Sequence, residues 1–456
     1  MEQFDLLVIG AGPGGYSSAI EAAKAGLKVA VFEKDNVGGT CLNVGCIPTK
    51  YLLDKALAMD KIRNLTGDGI FKDAGLFSYK KIQAGKDAVV GKLTGGVSAL
   101  FKANGIQLVK GEAALEKGCK VSCNGSEYEG KNVIIATGSH PFMVPISGVE
   151  NTIDSTQALS LQQVPKRFCV IGGGVIGLEL ASAFASFGSD VTVLEMLPDL
   201  LPKELPEAVK VLKIAIKKHG LNVITGAKVL SAARNGAEKA VSYEKDGKTE
   251  TIAADEVLMA IGRKPSLNGI DAKAIGLEID KKGFISVNDK MQTNLEGVYA
   301  IGDVCGGYQL AHAAYAEGEV AVSNILGIAK TLDVSIMPRC IFTIPCFSAV
   351  GITAEQAKEQ GFDPVVGSFN YQGNGMALAE GASGSVFVIM DRKTKTTLGI
   401  QIVGENASEM VSFASSEVAN HTTLDQWEQK IVAHPSLSEM VKEAALDAFK
   451  LAVHKI

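Results

Sequence analysis

A chain of 456 residues has room for about three domains of ~150 residues each, and so for a sizeable core. Its composition, 46% hydrophobic and 21% charged, is that of a globular protein; a net charge of -5 with no lysine-arginine block excludes the basic face that nucleic acid or an anionic membrane requires. The 50 glycines exceed an ordinary usage of roughly 7% and imply many tight turns or close backbone approaches.

The first apolar run, Phe4 to Ile9, flows straight into Gly10-Ala11-Gly12-Pro13-Gly14-Gly15, so it reads as a strand and not as the apolar core of an export signal. No export leader is expected, and no stretch approaches the roughly 18 uninterrupted apolar residues of a membrane span. These features predict a cytoplasmic protein, in which close cysteine pairs are read as catalytic or metal-binding before they are read as structural disulfides. A helix is predicted through Ala25, then a strand from Lys28 to Phe32 ending at Glu33. Cys41 and Cys46 follow in the run Gly38-Gly39-Thr40-Cys41-Leu42-Asn43-Val44-Gly45-Cys46-Ile47-Pro48-Thr49-Lys50. Two sulfurs could serve zinc, but zinc needs three or four ligands, and the nearest histidine in sequence is His140. An exchangeable disulfide beside an electron acceptor suits the pair better, and its proximity to a nucleotide unit makes that acceptor a flavin. Cys119 and Cys123, at even spacing, read as structural residues on one strand face, and a buried strand from Ile134 closes on Gly138.

The opening unit then recurs. A strand from Phe168 to Ile171, with Cys169 in the core, leads into Gly172-Gly173-Gly174-Val175-Ile176-Gly177, a helix to about Phe187 and a strand Val191 to Leu194 ending at Glu195. A second buried strand, from Leu258, closes on Gly262. A lone G-x-G-x-x-G is weak evidence; here each copy sits between strand and helix and is followed by an acid 23 residues after its first glycine. Gly10, Gly12 and Gly15, and equally Gly172, Gly174 and Gly177, are therefore assigned to two dinucleotide sites. The first two glycines of each set let backbone approach a pyrophosphate, and the third lets helix and strand pack. A carboxylate at Glu195 accepts a hydrogen bond from a ribose 2'-hydroxyl and repels a 2'-phosphate. No arginine follows in residues 196–199, so NAD is favoured over NADP.

Beyond Gly262, Val298 to Asp303 reads as another buried strand closing on an acid, followed by an alanine-rich helix to about Leu326. From Pro338 the alternation in Ile341 to Ile344 and Ser385 to Ile389 predicts an α+β domain with an antiparallel sheet, whose apolar stretches such as Ile341 to Ile344 suit an interface. No Pro-rich linker is present to carry a swinging lipoyl-type arm. Late in the chain, His434 has an imidazole pKa suited to a catalytic base, although a histidine before proline is more often just a turn residue. Glu439 could orient that ring, or complete a capping box with Ser436.

Taken together, the run GGTCLNVGCIPTK, both glycine fingerprints, AIGDV and the segment His434 to Glu439 resemble the dihydrolipoamide dehydrogenase family, a branch of the class I pyridine nucleotide-disulfide oxidoreductases that include glutathione and mercuric reductases. The resemblance spans essentially the whole chain. It implies an α/β fold with two doubly wound dinucleotide-binding domains, for FAD in residues 1–147 and NAD in 148–266. A central segment, 267–335, would complete the FAD site, and 336–456 would form a C-terminal α+β dimerisation domain. By the same resemblance Cys41 exchanges with dihydrolipoamide, Cys46 contacts the flavin, and Lys50 pairs with Glu179 beside it. Glu33, Gly138, Asp303, Ala311 and the backbone near Ala113 belong to the FAD site, while Gly262 and Val229 lie along NAD. His434 and Glu439 act as base and orienter, with no metal. The implied partners are a second copy of the chain and a lipoyl-bearing protein of a 2-oxoacid dehydrogenase or glycine cleavage complex. An NAD-linked reductase of another small disulfide, or a flavoprotein subunit with mainly a docking role, remain the alternatives. Cys346 departs from the pattern, standing where many relatives carry glutamate.

Overall fold

The computed structural model describes residues 2–236 and 238–455. β1 (Glu2–Ile9), α1 (Pro13–Lys24) and β2 (Val29–Glu33) form the first strand, helix and strand. β1 is apolar on both faces because both faces are covered: Leu6 and Val8 enter one core, Leu7 and Ile9 another. Three helices, α2 (Gly39–Val44), α3 (Cys46–Gly67) and α4 (Tyr79–Ala103), are inserted before β3 (Gln107–Lys110). β4 (Ala113–Glu116), β5 (Lys120–Cys123) and β6 (Ser126–Ile135) then form an antiparallel meander, and β6 returns to pair in parallel with β1. Cys119 lies in the turn before β5, at φ +56°, so it does not share a strand face with Cys123, although both are buried.

β7 (Ser139–Pro141) and α5 (Ser155–Leu159) lead into the second copy. It comprises β8 (Arg167–Ile171), α6 (Val175–Ser186), β9 (Asp190–Glu195), α7 (Pro206–Lys218) and β10 (Leu221–Thr225). A second meander follows, β11 (Lys228–Asn235), β12 (Glu238–Lys245) and β13 (Lys248–Ala254), before β14 (Glu256–Met259) completes a parallel sheet of order β10-β9-β8-β14. α6 is apolar around almost its whole circumference, which a helix sustains only when buried on all sides. The inserted α3 supplies the outer cover: Leu52, Leu53 and Ala56 share one core with Leu178, Ala181 and Phe184 of α6.

β15 (Arg263–Pro265) pairs with β7, and after α8 (Ala272–Ile275) the chain returns to the first sheet as β16 (Val298–Ala300), parallel to the last residues of β6. α9 (Ala311–Ile325) packs on α1. The C-terminal region contains β17 (Arg339–Ile341), β18 (Phe347–Gly351), α10 (Ala354–Glu359), β19 (Pro364–Asn370), α11 (Gly375–Glu380), β20 (Gly384–Asp391) and β21 (Thr397–Gly404). Its antiparallel sheet has the order β17-β18-β21-β20-β19. α12 (Ala407–Ala419), α13 (Leu424–Gln429) and α14 (Glu439–Asp447) close its core around Trp427 and Met440. The alternation expected through Ile344 stops at Ile341. Phe342 donates its N–H to Glu179, and the residues from Ile341 to Ile344 pack on the α3–α6 core. This stretch therefore packs at a joint inside the chain, with Phe342 and Ile344 left half-buried.

Candidate active site

The two glycine turns are built alike. Gly10 adopts φ +102°, and a Cβ there would lie 2.3 Å from the Ala136 carbonyl oxygen; one on Gly15 would lie 1.9 Å from that of Gly10. Gly12, by contrast, faces open space, its nearest such neighbour 4.0 Å away, and it precedes α1 without a side-chain cap. The helix thus leaves its first N–H groups free for an anion. In the second copy Gly172 and Gly177 are equally confined and Gly174 equally open. Glu33 is 8% exposed and accepts the Ala11 and Asp35 N–H groups, both at 2.8 Å. Glu195 accepts those of Gly173 at 2.7 Å and Leu197 at 2.8 Å. Each carboxylate oxygen keeps a lone pair for a ribose hydroxyl.

Further residues around the first turn suit a flavin dinucleotide. Thr137 Oγ1, beside Gly138, and Gln309 Nε2, two residues before α9, are buried polar atoms without a protein partner, and α9 begins at Ala311 with no side-chain cap. Asp303 accepts a hydrogen bond from Ser139 Oγ, which itself accepts one from Arg263 Nε at 2.6 Å. Burial pushes the Arg263 pKa down and raises that of Glu317, whose carboxylate accepts the Gly302 N–H, to about 7. Ala113 is buried in β4 with its carbonyl against Gly269, and Val229 lies at a bulge in β11. Gly138 and Gly262, at φ +71° and +135°, follow their strands with open space around them.

The thiols occupy the junction of α2 and α3. Gly45 separates the two helices, and a Cβ there would lie 2.8 Å from the Thr40 carbonyl oxygen. The turn brings Cys41 and Cys46 side by side, with Cys46 the first residue of the 22-residue α3. The contact with Cys41 and the nearby Lys50 ammonium hold the Cys46 thiol down to about 7 against burial, whereas the same contact and burial push Cys41 up. Lys50 Nζ lies 2.9 and 2.8 Å from the two carboxylate oxygens of Glu179, a buried residue of α6 that also accepts the Phe342 N–H at 3.0 Å. The same ammonium sits 4.2 Å from the centre of the Phe342 ring.

At the far end of the chain His434 Nδ1 lies 2.9 Å from Glu439 Oε1, while Glu439 Oε2 accepts the Ser436 N–H at 2.9 Å. Burial raises the Glu439 pKa, but these two contacts outweigh it and hold the carboxyl below its usual range. The capping box does not form as drawn: Ser436 Oγ donates to the Ala433 carbonyl, and Ser438 is the residue that precedes the helix. His434 is 79% exposed and, among the described residues, bonds to Glu439 and to neither thiol. Two features escaped the sequence reading. Tyr16 and Tyr315 meet through their hydroxyls at 2.6 Å, with Tyr315 close to both thiols, and Arg263 links Ser139 to the Asp303 loop. Arg263 directly follows the glycine that ends a buried strand, a signal that could have been read; the tyrosines are 299 residues apart, and nothing local marks them.

Among the described residues no three His, Cys, Asp or Glu side chains are grouped to hold a metal ion, and no helix is long and apolar enough to cross a membrane. Cys346, half-buried near Cys340, has no assigned role. Residues 4–318 match the family model described as pyridine nucleotide-disulphide oxidoreductase, and residues 337–445 match the dimerisation domain of that family. The chain is 40% identical to a dihydrolipoyl dehydrogenase of Thermus scotoductus, with 100% of this chain and 99% of that one covered. It is 39% identical to that of Geobacillus stearothermophilus, with 99% and 97% covered. A solved structure of the HOCl-induced flavoprotein disulfide reductase RclA from Escherichia coli, in its Cu(II) complex, superposes with a TM-score of 0.87 at 27% identity, covering 98% of this chain and 99% of that one. FAD and NAD are the cofactors these matches imply. With two nucleotide turns, a thiol pair between them and a matching C-terminal domain, this chain belongs to the pyridine nucleotide-disulphide oxidoreductase family.

Proposed function

We propose that the chain is a cytoplasmic dihydrolipoamide dehydrogenase, with FAD on the first glycine turn and NAD on the second. The observation that carries the chemistry is the Cys41–Cys46 pair at the head of α3 beside the Lys50–Glu179 ion pair; the full-length likeness to dihydrolipoyl dehydrogenases selects the substrate. FAD, when bound, supplies the two-electron relay between the sulfur pair and NAD.

The protein's residues handle the sulfur exchange. In the oxidised form, a thiolate of dihydrolipoamide attacks Cys41 Sγ, breaking its bond to Cys46 and releasing Cys46 as a thiolate. The α3 N-terminus and the Lys50 ammonium stabilise that charge. The second substrate sulfur then attacks the mixed disulfide, closing the lipoamide ring and leaving Cys41 reduced. His434, oriented by Glu439, takes the proton that makes the attacking thiol a thiolate. The matched dimerisation domain and the exposed His434 support a homodimer in which this base serves the partner's thiols, and the substrate would arrive on a lipoyl-bearing subunit of a 2-oxoacid dehydrogenase or glycine cleavage complex.

We expect Cys41→Ser to abolish dihydrolipoamide oxidation and leave NADH-driven dye reduction, because only the first needs both sulfurs. Retention of both activities would overturn the assignment. Turnover with dihydrolipoamide against a panel of other dithiols separates it from a reductase of another small disulfide.

A further inference from the structure

Between the thiol-bearing helix and the second nucleotide unit lies a polar cluster to which neither the resemblance nor the chemistry above gives a role. Asp60 and Arg63 stand in the C-terminal half of α3, Ser186 ends α6, and His219 follows α7. Ser186 Oγ donates to Asp60 Oδ2 at 2.6 Å, and Arg63 Nη1 binds Asp60 Oδ1 at 2.7 Å while its other Nη reaches the Ser186 carbonyl. His219 Nε2 lies 3.1 Å from Ser186 Oγ, 3.4 Å from the Ser182 carbonyl oxygen and 3.7 Å from Asp60 Oδ2. With the Ser186 hydroxyl proton given to Asp60, all three neighbours of Nε2 are acceptors, so that nitrogen carries the proton and donates.

We infer that Asp60, Arg63, Ser186 and His219 are positioning residues: a clasp that fixes α3 against α6 and thereby aligns the two dinucleotides for hydride transfer. The inference rests on the cofactor placement proposed above. α3 and α6 are tied at two levels, by Lys50–Glu179 near their N-termini and by this clasp toward their C-termini, with Leu52, Leu53 and Ala56 packed between. Lys50 and Asp60 are about 15 Å apart along α3 at 1.5 Å per residue, a lever long enough for play at one end to tilt the other. The helices run in the same sense, and both N-termini carry chemistry: Cys46 on α3, the second glycine turn on α6. α3 is held to the unit of the first glycine turn through α2 and α4, with Gly39 of α2 against Gly12, so loosening the clasp lets α6 tilt while Cys41 and Cys46 keep their place, and electron flow from the thiols to the flavin does not cross this joint. Hydride exchange between NAD and the flavin does. A displacement of about 1 Å at reacting centres costs on the order of 100-fold in rate, so partial loosening should slow that one step by roughly tenfold.

The test compares two half-reactions in the FAD-loaded enzyme by stopped flow, flavin reduction by saturating NADH and flavin reduction by dithiothreitol. Asp60→Ala and His219→Ala should slow the NADH reaction about tenfold and leave the dithiothreitol reaction within about twofold of wild type. His219→Gln, whose amide can replace the Nε2 donor, should recover most of the NADH rate. In parallel, amide hydrogen exchange in α6 should quicken in His219→Ala and return toward wild type in His219→Gln. Equal slowing of both half-reactions, no slowing of either, or no recovery with glutamine overturns the clasp; the two His219 variants decide the matter should Asp60→Ala fail to fold. Because dithiothreitol reports on the thiols whatever the natural substrate is, failure to oxidise dihydrolipoamide would remove the substrate assignment and leave this test intact.

Discussion

Glu195 has two duties. It holds the N–H groups of Gly173 and Leu197, organising the turn, and in the function proposed above it would also accept a hydrogen bond from a ribose. Replacing it with alanine frees two donors where a 2'-phosphate would arrive, and Met196, 65% exposed, points an adjacent position outward. We therefore expect Glu195→Ala with Met196→Arg to move the NADP-to-NAD ratio of kcat/KM upward by about tenfold or more, since one charge-assisted hydrogen bond is worth about 1.5–3 kcal/mol. An unchanged ratio would show that Glu195 does not read the ribose. Glu33 and Glu195 were legible in the sequence because their meaning lies in a fixed spacing from a nearby glycine. The contact of Tyr16 with Tyr315 joins residues 299 positions apart, which no local pattern encodes, whereas Arg263 at least follows a strand-ending glycine even though its partner Ser139 lies 124 positions away.

At the scale of elements, α3 converts a sequence position into a charge. Cys46 is its first residue, and Lys50, one turn on, adds a cation to the partial positive charge of the helix N-terminus. A thiol held down to about 7 is ionised at a pH where an ordinary thiol is not. Alkylation of the reduced protein by iodoacetamide should therefore have a component whose rate rises through pH about 7. Lys50→Met removes a charge that favours the thiolate, so the inflection should move to higher pH; movement to lower pH, or none, would show that Lys50 does not stabilise it. Strands and helices flanking the glycine turns were readable to within a few residues, because buried runs there end abruptly at glycine. The meander β11 to β13 was not, since its strands are largely exposed on one face and carry few apolar residues. Ile341 to Ile344 reads as one alternating strand in sequence, but the sheet ends at Ile341, and the residues after it pack on the core of α3 and α6.

For the whole molecule, the thiols and the His434–Glu439 pair come from opposite ends of the chain and do not meet within it. If two copies complete each other's sites, Cys41→Ser and His434→Ala, each inactive alone, should complement on refolding together. Every mixed dimer then holds one site with both residues intact, and random pairing restores about one quarter of wild-type sites. No recovery would place base and dithiol in the same chain. The repeated unit, by contrast, is not a pair of interchangeable modules. α1 is covered by α9, whereas α6 is covered by α3, an element that belongs in sequence to the other copy. Cut out as a fragment, residues 148–266 would bare the side of α6 that α3 covers, where Glu179 and Ser186 would lose Lys50 and Asp60 together with the apolar packing of Leu52, Leu53 and Ala56. The duplication has thus become interlocked: the later half depends for its solubility on a helix borrowed from the earlier one, and a recombination joint placed between them would separate a protein from its own lining.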